Sequence, residues 1–131
     1  MATPATALQK LRKIALSLPD TEESETWGKP HFRVNNKIFC GYGEENGKTC
    51  VGCKLEKKHA FSIAKKPGYW LSPFGGRHGW ISMDVSAITD WNHFASLIRE
   101  SYLLIAPKRS QLKLNPAESK PKPSKKKAGR K

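Results

Sequence analysis

The fold of this chain is decided by residues 37–55, KIFCGYGEENGKTCVGCKL, where an Asn-Gly pair separates two strand-like runs. Asn46-Gly47 is the strongest hairpin signal in the chain, because both central residues of a tight hairpin turn need positive φ. A two-residue turn at this point pairs Glu45 with Lys48 and, by counting back, places Cys40 opposite Cys53. We therefore predict an antiparallel hairpin in which these two cysteines are cross-strand neighbours.

The elements on either side of the hairpin follow from apolar spacing and from Gly and Pro positions. We predict helices over residues 4–18, 56–66 and, with Asp90 as N-cap, 91–106, and strands over residues 31–34, 37–43, 48–55, 69–74 and 80–85. Residues 19–24 are predicted to be a polar connection, and residues 75–79 a flexible loop. The order α-β(3)-α-β(2)-α predicts a two-layer α+β domain with a mainly antiparallel sheet and helices on one face.

Charge is concentrated at the C-terminal end. The formal net charge is +13, and residues 108–131 contribute +9 of it through ten Lys/Arg against one acid, Glu118. A segment of this composition cannot bury enough apolar surface to fold alone. We therefore predict a folded domain over residues 1–109 and a disordered Lys/Pro-rich basic tail over residues 110–131, whose natural partner is a polyanion.

The cysteines do not indicate a disulfide framework, because their number, three, is odd. Cys50 and Cys53 have C-x-x-C spacing, but no second pair completes a tetrahedral zinc site. An offset of three residues along a strand also points the two side chains to opposite faces. We expect reduced thiols, no metal and no cofactor, although Cys40 and Cys53 could oxidise in vitro.

A series of short motifs gives the chain a family resemblance. They are residues 18–23 (LPDTEE), 27–30 (WGKP), 32–34 (FRV), 37–39 (KIF), 67–68 (PG), 76–80 (GRHGW), 90–91 (DW), 101–102 (SY) and 106–109 (APKR). In this order and spacing they resemble the YjbR/MmcQ family, across residues 8–109. The resemblance implies the same α-β(3)-α-β(2)-α fold. It also implies DNA binding through a "double wing" arrangement, with no well-established enzymatic activity.

Candidate phosphate-contacting residues fall into three groups, since DNA binding needs cations that neutralise the backbone. They are Lys57, Lys58, Lys65 and Lys66 at the ends of the middle helix, Arg77 and His78 in the glycine-rich loop, and Lys120, Lys122, Lys125, Lys126, Lys127, Arg130 and Lys131 in the tail. The loop glycines could let backbone N–H groups approach phosphate. The alternative is that the glycines only shape a hairpin and the lysines form a solvated helix face.

Two further features bear on a nucleic-acid interface. The first hairpin tip carries Glu44 and Glu45, which phosphate would repel, and this argues against a symmetrical double wing. If only one wing contacts DNA, we expect it to be the Arg77 loop. Alternation places Tyr69 and Trp70 on opposite faces of their strand, and an exposed member would offer one aromatic contact to bases or to a partner protein. Trp27, Trp80 and Trp91 are predicted core anchors.

These observations predict weak, largely sequence-independent nucleic-acid binding, to DNA, through the tail and the basic loop. The alternative is a non-enzymatic protein- or small-ligand-binding module whose tail serves localisation or solubility. No nucleophile elbow, Walker loop or H-E-x-x-H is present, so we expect no enzymatic activity. The chain has no apolar run of ~18 residues and no secretory signal. We therefore expect no membrane partner, a cytoplasmic location and, by default, a monomer.

Overall fold

The computed structural model describes residues 4–26, 28–45, 47–73 and 75–114. The helices are α1 (Pro4–Leu16), α2 (Lys57–Ile63), α3 (Trp91–Ile105) and α4 (Lys108–Gln111). The strands are β1 (Thr21–Thr26), β2 (Lys29–Val34), β3 (Lys37–Glu45), β4 (Lys48–Lys54), β5 (Tyr69–Leu71) and β6 (Trp80–Asp84). Short 3-10 turns at Gly76–His78 and Val85–Ala87 flank β6.

The strands form one antiparallel sheet in the order β1-β2-β3-β4-β6-β5. Helices α1 and α3 pack together, α3 contacts the central strands β3 and β4, and α1 contacts β1. The core lies between these helices and the sheet, and Phe32, Val51, Ile81, Phe94 and Ile98 are among its buried side chains. The predicted α+β fold with an antiparallel sheet is confirmed.

The central hairpin has the predicted register. Glu45 pairs with Lys48, and Cys40 pairs with Cys53. Gly47 adopts a φ of 75° in the turn, a backbone conformation that costs glycine little. The local turn chemistry therefore determined which residues of β3 and β4 face each other.

Strand β1 replaces the polar connection predicted for residues 19–24, and this prediction is wrong. Within the part of the chain that the structure describes, β1 is an edge strand paired with β2 alone, from Thr21 opposite Val34 to Thr26 opposite Lys29. Its sequence, TEESET, buries little, so apolar alternation does not reveal it. Non-local polar contacts hold it in place, including a bidentate ion pair between Arg12 and Glu23 at 2.8 and 2.9 Å.

Helix α3 begins at the predicted N-cap, where the Asp90 side chain accepts hydrogen bonds from the backbone N–H groups of Asn92 and His93. The helix buries Phe94, Ile98 and Tyr102 fully, and Trp91 packs edge-on against Phe94 with ring centroids 5.0 Å apart. Ser101 is also buried. Its hydroxyl donates to the Phe39 carbonyl and accepts from the Lys54 N–H, so it joins α3 to both central strands.

Packed structure continues through the start of the predicted tail. Ser110 Oγ donates to Asp20 Oδ2 at 2.7 Å, Lys113 Nζ lies 2.9 Å from Asp20 Oδ1, and Arg109 donates to Asn35 Oδ1 at 3.0 Å. Ser110 is buried. These contacts attach the segment after α3 to the turn that precedes β1, through Asp20, and to the turn between β2 and β3, through Asn35. Across the described part of the chain, every helix is too short or too polar to cross a membrane.

Candidate nucleic-acid interface

The four candidate lysines lie at the two ends of α2. Glu56 caps this helix, and its carboxylate accepts hydrogen bonds from the N–H groups of Lys58 and His59 at 3.1 and 3.2 Å. Ala60 and Ile63 point into the core. This leaves Lys57 and Lys58 exposed in the first turn, while Lys65 and Lys66 are exposed just after the last turn. Helix α2 has seven residues and is about 10 Å long at a rise of 1.5 Å per residue, and the two lysine pairs lie at its two ends.

Arg77 and His78 lie in an ordered 3-10 turn, so the predicted flexible loop is wrong. Within the turn, Gly76 N–H donates to the Ser72 carbonyl at 2.9 Å, and the His78 and Trp80 N–H groups donate to the Gly75 carbonyl at 2.9 and 3.1 Å. The Gly79 N–H donates to the Gly76 carbonyl at 3.0 Å. The N–H groups of Gly76, His78 and Gly79 are therefore occupied within the protein and are not available to phosphate.

The glycines in this turn are required by close packing. A Cβ on Gly79 would overlap the Leu55 carbonyl oxygen, and the residue has a φ of 101°. A Cβ on Gly75 would lie 2.6 Å from the Trp80 ring, and one on Gly76 would lie 2.8 Å from the Leu71 side chain. The turn therefore has the shape-determining role that the sequence left open, and it presents the exposed Arg77 and His78 side chains from a fixed backbone.

The structure brings the turn and α2 to the same edge of the sheet. Helix α2 contacts β5 and the 3-10 turn. The Leu55 N–H donates to the Gly79 carbonyl at 2.9 Å next to the start of α2, and the Tyr69 N–H donates to the Lys66 carbonyl at 3.1 Å next to its end. We call the exposed side chains gathered here the basic edge, and its members are Lys57, Lys58, Lys65, Lys66, Arg77 and His78.

The basic edge keeps its charge available to an external anion. In the described ranges, the ion pairs are Arg12–Glu23, Lys48–Asp84, His59–Glu100 and Lys113–Asp20, and none of them includes a member of the basic edge. The acids closest in sequence are engaged elsewhere. Glu56 caps α2, and Glu100 contacts His59 Nδ1 at 2.8 Å and accepts from the Glu56 N–H at 2.9 Å. The His59–Glu100 contact spans 41 residues, so sequence spacing did not reveal it.

The acidic hairpin tip differs from what the sequence predicts. Glu44 is exposed. Glu45 lies over the face of the sheet opposite α1 and α3, which we call the open face, and accepts hydrogen bonds there from Trp70 Nε1 at 2.8 Å and Ser82 Oγ at 2.9 Å. Trp70 pairs with Ser82 on this open face, whereas Tyr69 packs against the core. Tyr69 and Trp70 therefore occupy opposite faces, as predicted, and the Trp70 N–H is already used within the protein.

The cysteines lie in surroundings that suppress thiol reactivity. All three are free thiols. Burial raises the pKa of Cys40 and of Cys53 well above the ordinary value. Burial, followed by the charges of Glu45 and Asp84, raises the pKa of Cys50 to about 12. Cys53 belongs to the core, and Cys50 pairs with Asp84 outside it. Among the residues with described positions, no cluster of three or more His, Cys, Asp or Glu side chains is arranged to bind a metal.

The tail members of the predicted interface lie outside the described residues. They are Lys120, Lys122, Lys125, Lys126, Lys127, Arg130 and Lys131. Trp27, a predicted core anchor, lies outside them as well. The role of these residues therefore stays a prediction from the sequence.

The fold and the edge define a small antiparallel α+β protein with a cationic sheet edge. A protein-family model described as YjbR matches residues 16–104, and the chain therefore belongs to the YjbR family. The search of curated proteins gives no significant match. Two solved structures are similar to the chain at low sequence identity and show a shared fold.

The first is the crystal structure of the Deinococcus radiodurans protein DR2400, described with a DUF419 domain. It matches with a TM-score of 0.68 and 16% identity, covering 92% of this chain and 90% of that chain. The second is the crystal structure of a protein from Pseudomonas syringae, with a TM-score of 0.61 and 21% identity, covering 73% of this chain and 96% of that chain.

Proposed function

We propose that this protein binds nucleic acid, in particular DNA, weakly and largely without regard to base sequence. Binding is non-catalytic and uses phosphate contacts from two sources, the basic edge and the basic tail. The observation that carries this proposal is the convergence of the α2 lysines with Arg77 and His78 on one sheet edge, without ion-pair partners among the described acids. Of the two hairpins expected to form wings, only the one that holds Arg77 contacts DNA.

The two sources of charge contribute differently. The tail supplies most of the affinity, because its cations neutralise phosphates without any requirement for base contacts. If about six phosphates are neutralised, log K falls with log salt concentration with a slope of about −5. The basic edge orients the body on the duplex, since its side chains project from a helix and from a hydrogen-bonded turn.

Fluorescence anisotropy with labelled duplex DNA at two salt concentrations tests the proposal on the full chain. One variant carries Lys57→Gln, Lys58→Gln and Arg77→Gln. A matched control removes the same charge from exposed lysines elsewhere, through Lys13→Gln, Lys37→Gln and Lys108→Gln. A third variant replaces all seven Lys/Arg of residues 115–131 by Gln and is called the tail-neutral variant.

We expect the edge variant to bind DNA clearly more weakly than its control does. Its salt slope should also be smaller by about 0.9 for each phosphate that is no longer neutralised. The tail-neutral variant should retain weak binding that Arg77→Gln reduces further. Equal reductions in the edge and control variants would overturn the role of the basic edge. Complete absence of binding in the tail-neutral variant would show that the body itself does not bind DNA.

A further inference from the structure

Strand β1 forms a free and acidic edge of the sheet. Among the described strands, β2 is its hydrogen-bonded neighbour, on one side only, and its outer side faces away from the sheet. Three glutamates on β1 are exposed, Glu22, Glu23 and Glu25. Glu23 is held by Arg12, whereas Glu22 and Glu25 take no part in the ion pairs found in the described ranges. An edge strand with like charges repels a second copy of itself.

The basic tail leaves the folded body at the start of this same strand. Asp20 directly precedes β1 and binds both Ser110 Oγ, at 2.7 Å, and Lys113 Nζ, at 2.9 and 3.1 Å. Lys113 is one residue before Leu114, the last residue that the structure describes. The remaining chain therefore starts beside the acidic strand rather than beside the basic edge, which lies at the opposite end of the strand order.

The length and charge of the remaining chain match this surface. Residues 115–131 number seventeen and carry seven Lys/Arg against one acid. At most ~3.5 Å per residue, they can extend about 60 Å, whereas a six-residue strand is roughly 20 Å long. Every point on β1 is therefore within reach of the tail lysines. A tether this short gives a local concentration on the order of millimolar, so individually weak ion pairs become significant.

The prolines of the tail indicate how it would dock. Pro116, Pro121 and Pro123 have no N–H groups, and a seventh strand would need those donors for its ladder. The contact would instead use lysine side chains against the β1 carboxylates. Such a contact is sensitive to salt, because it lies on the solvent-exposed surface.

We propose that the acidic β1 edge is the docking surface for the chain's own basic tail. The tail runs along the outer edge of β1 in the free protein, where its lysine side chains reach Glu22 on one face of the strand and Glu25 on the other. If the proposed nucleic-acid binding also holds, a polyanion must displace the tail from β1 before the tail can bind phosphate. β1 then lowers the apparent affinity of the protein for nucleic acid and favours long, highly charged partners.

Zero-length carbodiimide cross-linking of the full chain at low salt, read by mass spectrometry, tests the docking directly. The reagent joins lysine amines to carboxylates that are in contact. We expect intramolecular links from the tail lysines to Glu22 and Glu25 in several-fold excess over links to Glu44. Glu44 is the internal control, because it is exposed, has no ion pair among the described residues and lies on β3, two strands from β1. The excess should vanish in 0.5 M salt, where the Debye length is a few ångströms.

Comparable yields at Glu22, Glu25 and Glu44 would overturn the docking proposal, and so would links confined to cross-linked dimers. DNA binding provides the second measurement. If the tail is docked about four-fifths of the time, its release raises the apparent affinity of the protein for DNA about fivefold. Glu22→Gln/Glu25→Gln should show this gain in the full chain, and most of the gain should be absent in the tail-neutral variant.

The single variants Glu25→Gln and Glu44→Gln separate docking from net charge, because each removes one negative charge. We expect Glu25→Gln to increase DNA affinity more than Glu44→Gln, and equal gains would contradict a localised docking surface. The two proposals can fail separately. A selective cross-linking pattern without any DNA binding would refute only the proposed function, whereas DNA binding without that pattern would refute only the docking.

Discussion

Glu45 accepts a hydrogen bond from the Trp70 indole at 2.8 Å, and the two residues belong to strands separated by two others in the sheet. The second carboxylate oxygen accepts from Ser82 Oγ at 2.9 Å. A side chain at the end of β3 therefore spans the open face and connects the central hairpin to the edge that carries Arg77. Of the two acids at the hairpin tip, Glu44 is exposed and Glu45 is half-buried.

Replacement of Glu45 should destabilise the fold. Glu45→Ala removes a charged acceptor from Trp70 and from the buried Ser82 hydroxyl, and we expect a loss of about 2 kcal/mol in the free energy of unfolding. Urea unfolding followed by tryptophan fluorescence measures this loss. Glu44→Ala, at the adjacent exposed position, should change stability by less than about 0.5 kcal/mol. Similar values for the two variants would show that the Glu45–Trp70 contact adds no stability.

The Ser101 hydroxyl should be needed to join α3 to the sheet. Ser101→Ala leaves the Phe39 carbonyl and the Lys54 N–H without their shared partner in a buried site. We expect a loss of about 2–3 kcal/mol in the free energy of unfolding, because unsatisfied buried polar groups keep their desolvation cost. Ser96→Ala on the exposed side of the same helix is the control. It should be neutral or slightly stabilising, since alanine has the higher helix propensity. Equal effects of the two changes would argue against the bridge.

Asp20 should make stability depend on pH in the acid range. Hydrogen bonds from Ser110 and then Lys113 lower the pKa of Asp20 below its ordinary value of 3.8. A carboxyl group with a depressed folded-state pKa stabilises the protein above its unfolded pKa, and this stability is lost as the pH falls through the folded-state value. Asp20→Asn should therefore lower Tm at pH 7, and its difference from the wild type should shrink as the pH falls below about 4.

Asp20→Asn removes the charge without straining the backbone, because Asp20 has a φ of 62° and asparagine tolerates this region. Glu44→Gln is the control, since Glu44 is exposed and has no cationic partner among the described ion pairs. Its Tm difference from the wild type should stay nearly constant with pH. A Tm difference for Asp20→Asn that does not shrink on acidification would contradict the assigned contacts.

Gly79 should tolerate a side chain less well than Gly47 does. Both residues have positive φ, 101° and 75°, so alanine strains the backbone at either position. A Cβ at Gly47 meets nothing within 4 Å, whereas one at Gly79 overlaps the Leu55 backbone. We expect Gly47→Ala to cost about 1 kcal/mol and Gly79→Ala at least about 3 kcal/mol in the free energy of unfolding. Matching costs in thermal or urea unfolding would show that close packing at Leu55 is unimportant.

Turn and cap chemistry made parts of the fold predictable. Asn46-Gly47 determined the β3–β4 register down to the Cys40–Cys53 pair, and Asp90 determined the start of α3. These features depend on residues a few positions apart, so their energetics can be read from the sequence. Strand β1 could not be found this way. Its polar residues give no apolar alternation, and it exists because β2 and Arg12 provide partners from elsewhere in the chain.

Parts of the candidate interface were also predictable from the sequence, and other parts were decided only by the tertiary structure. The sequence alone identified the lysines of α2, Arg77, His78 and the charge of the tail. Only the tertiary structure placed Lys66 beside β5, closed the Gly76–His78 turn with its own N–H groups, turned Glu45 toward Trp70 and put the start of the tail next to acidic β1. The physical reason is the range of the interactions involved. Charge content and local backbone preferences belong to short segments, whereas the surroundings of a side chain depend on which distant segments pack against it.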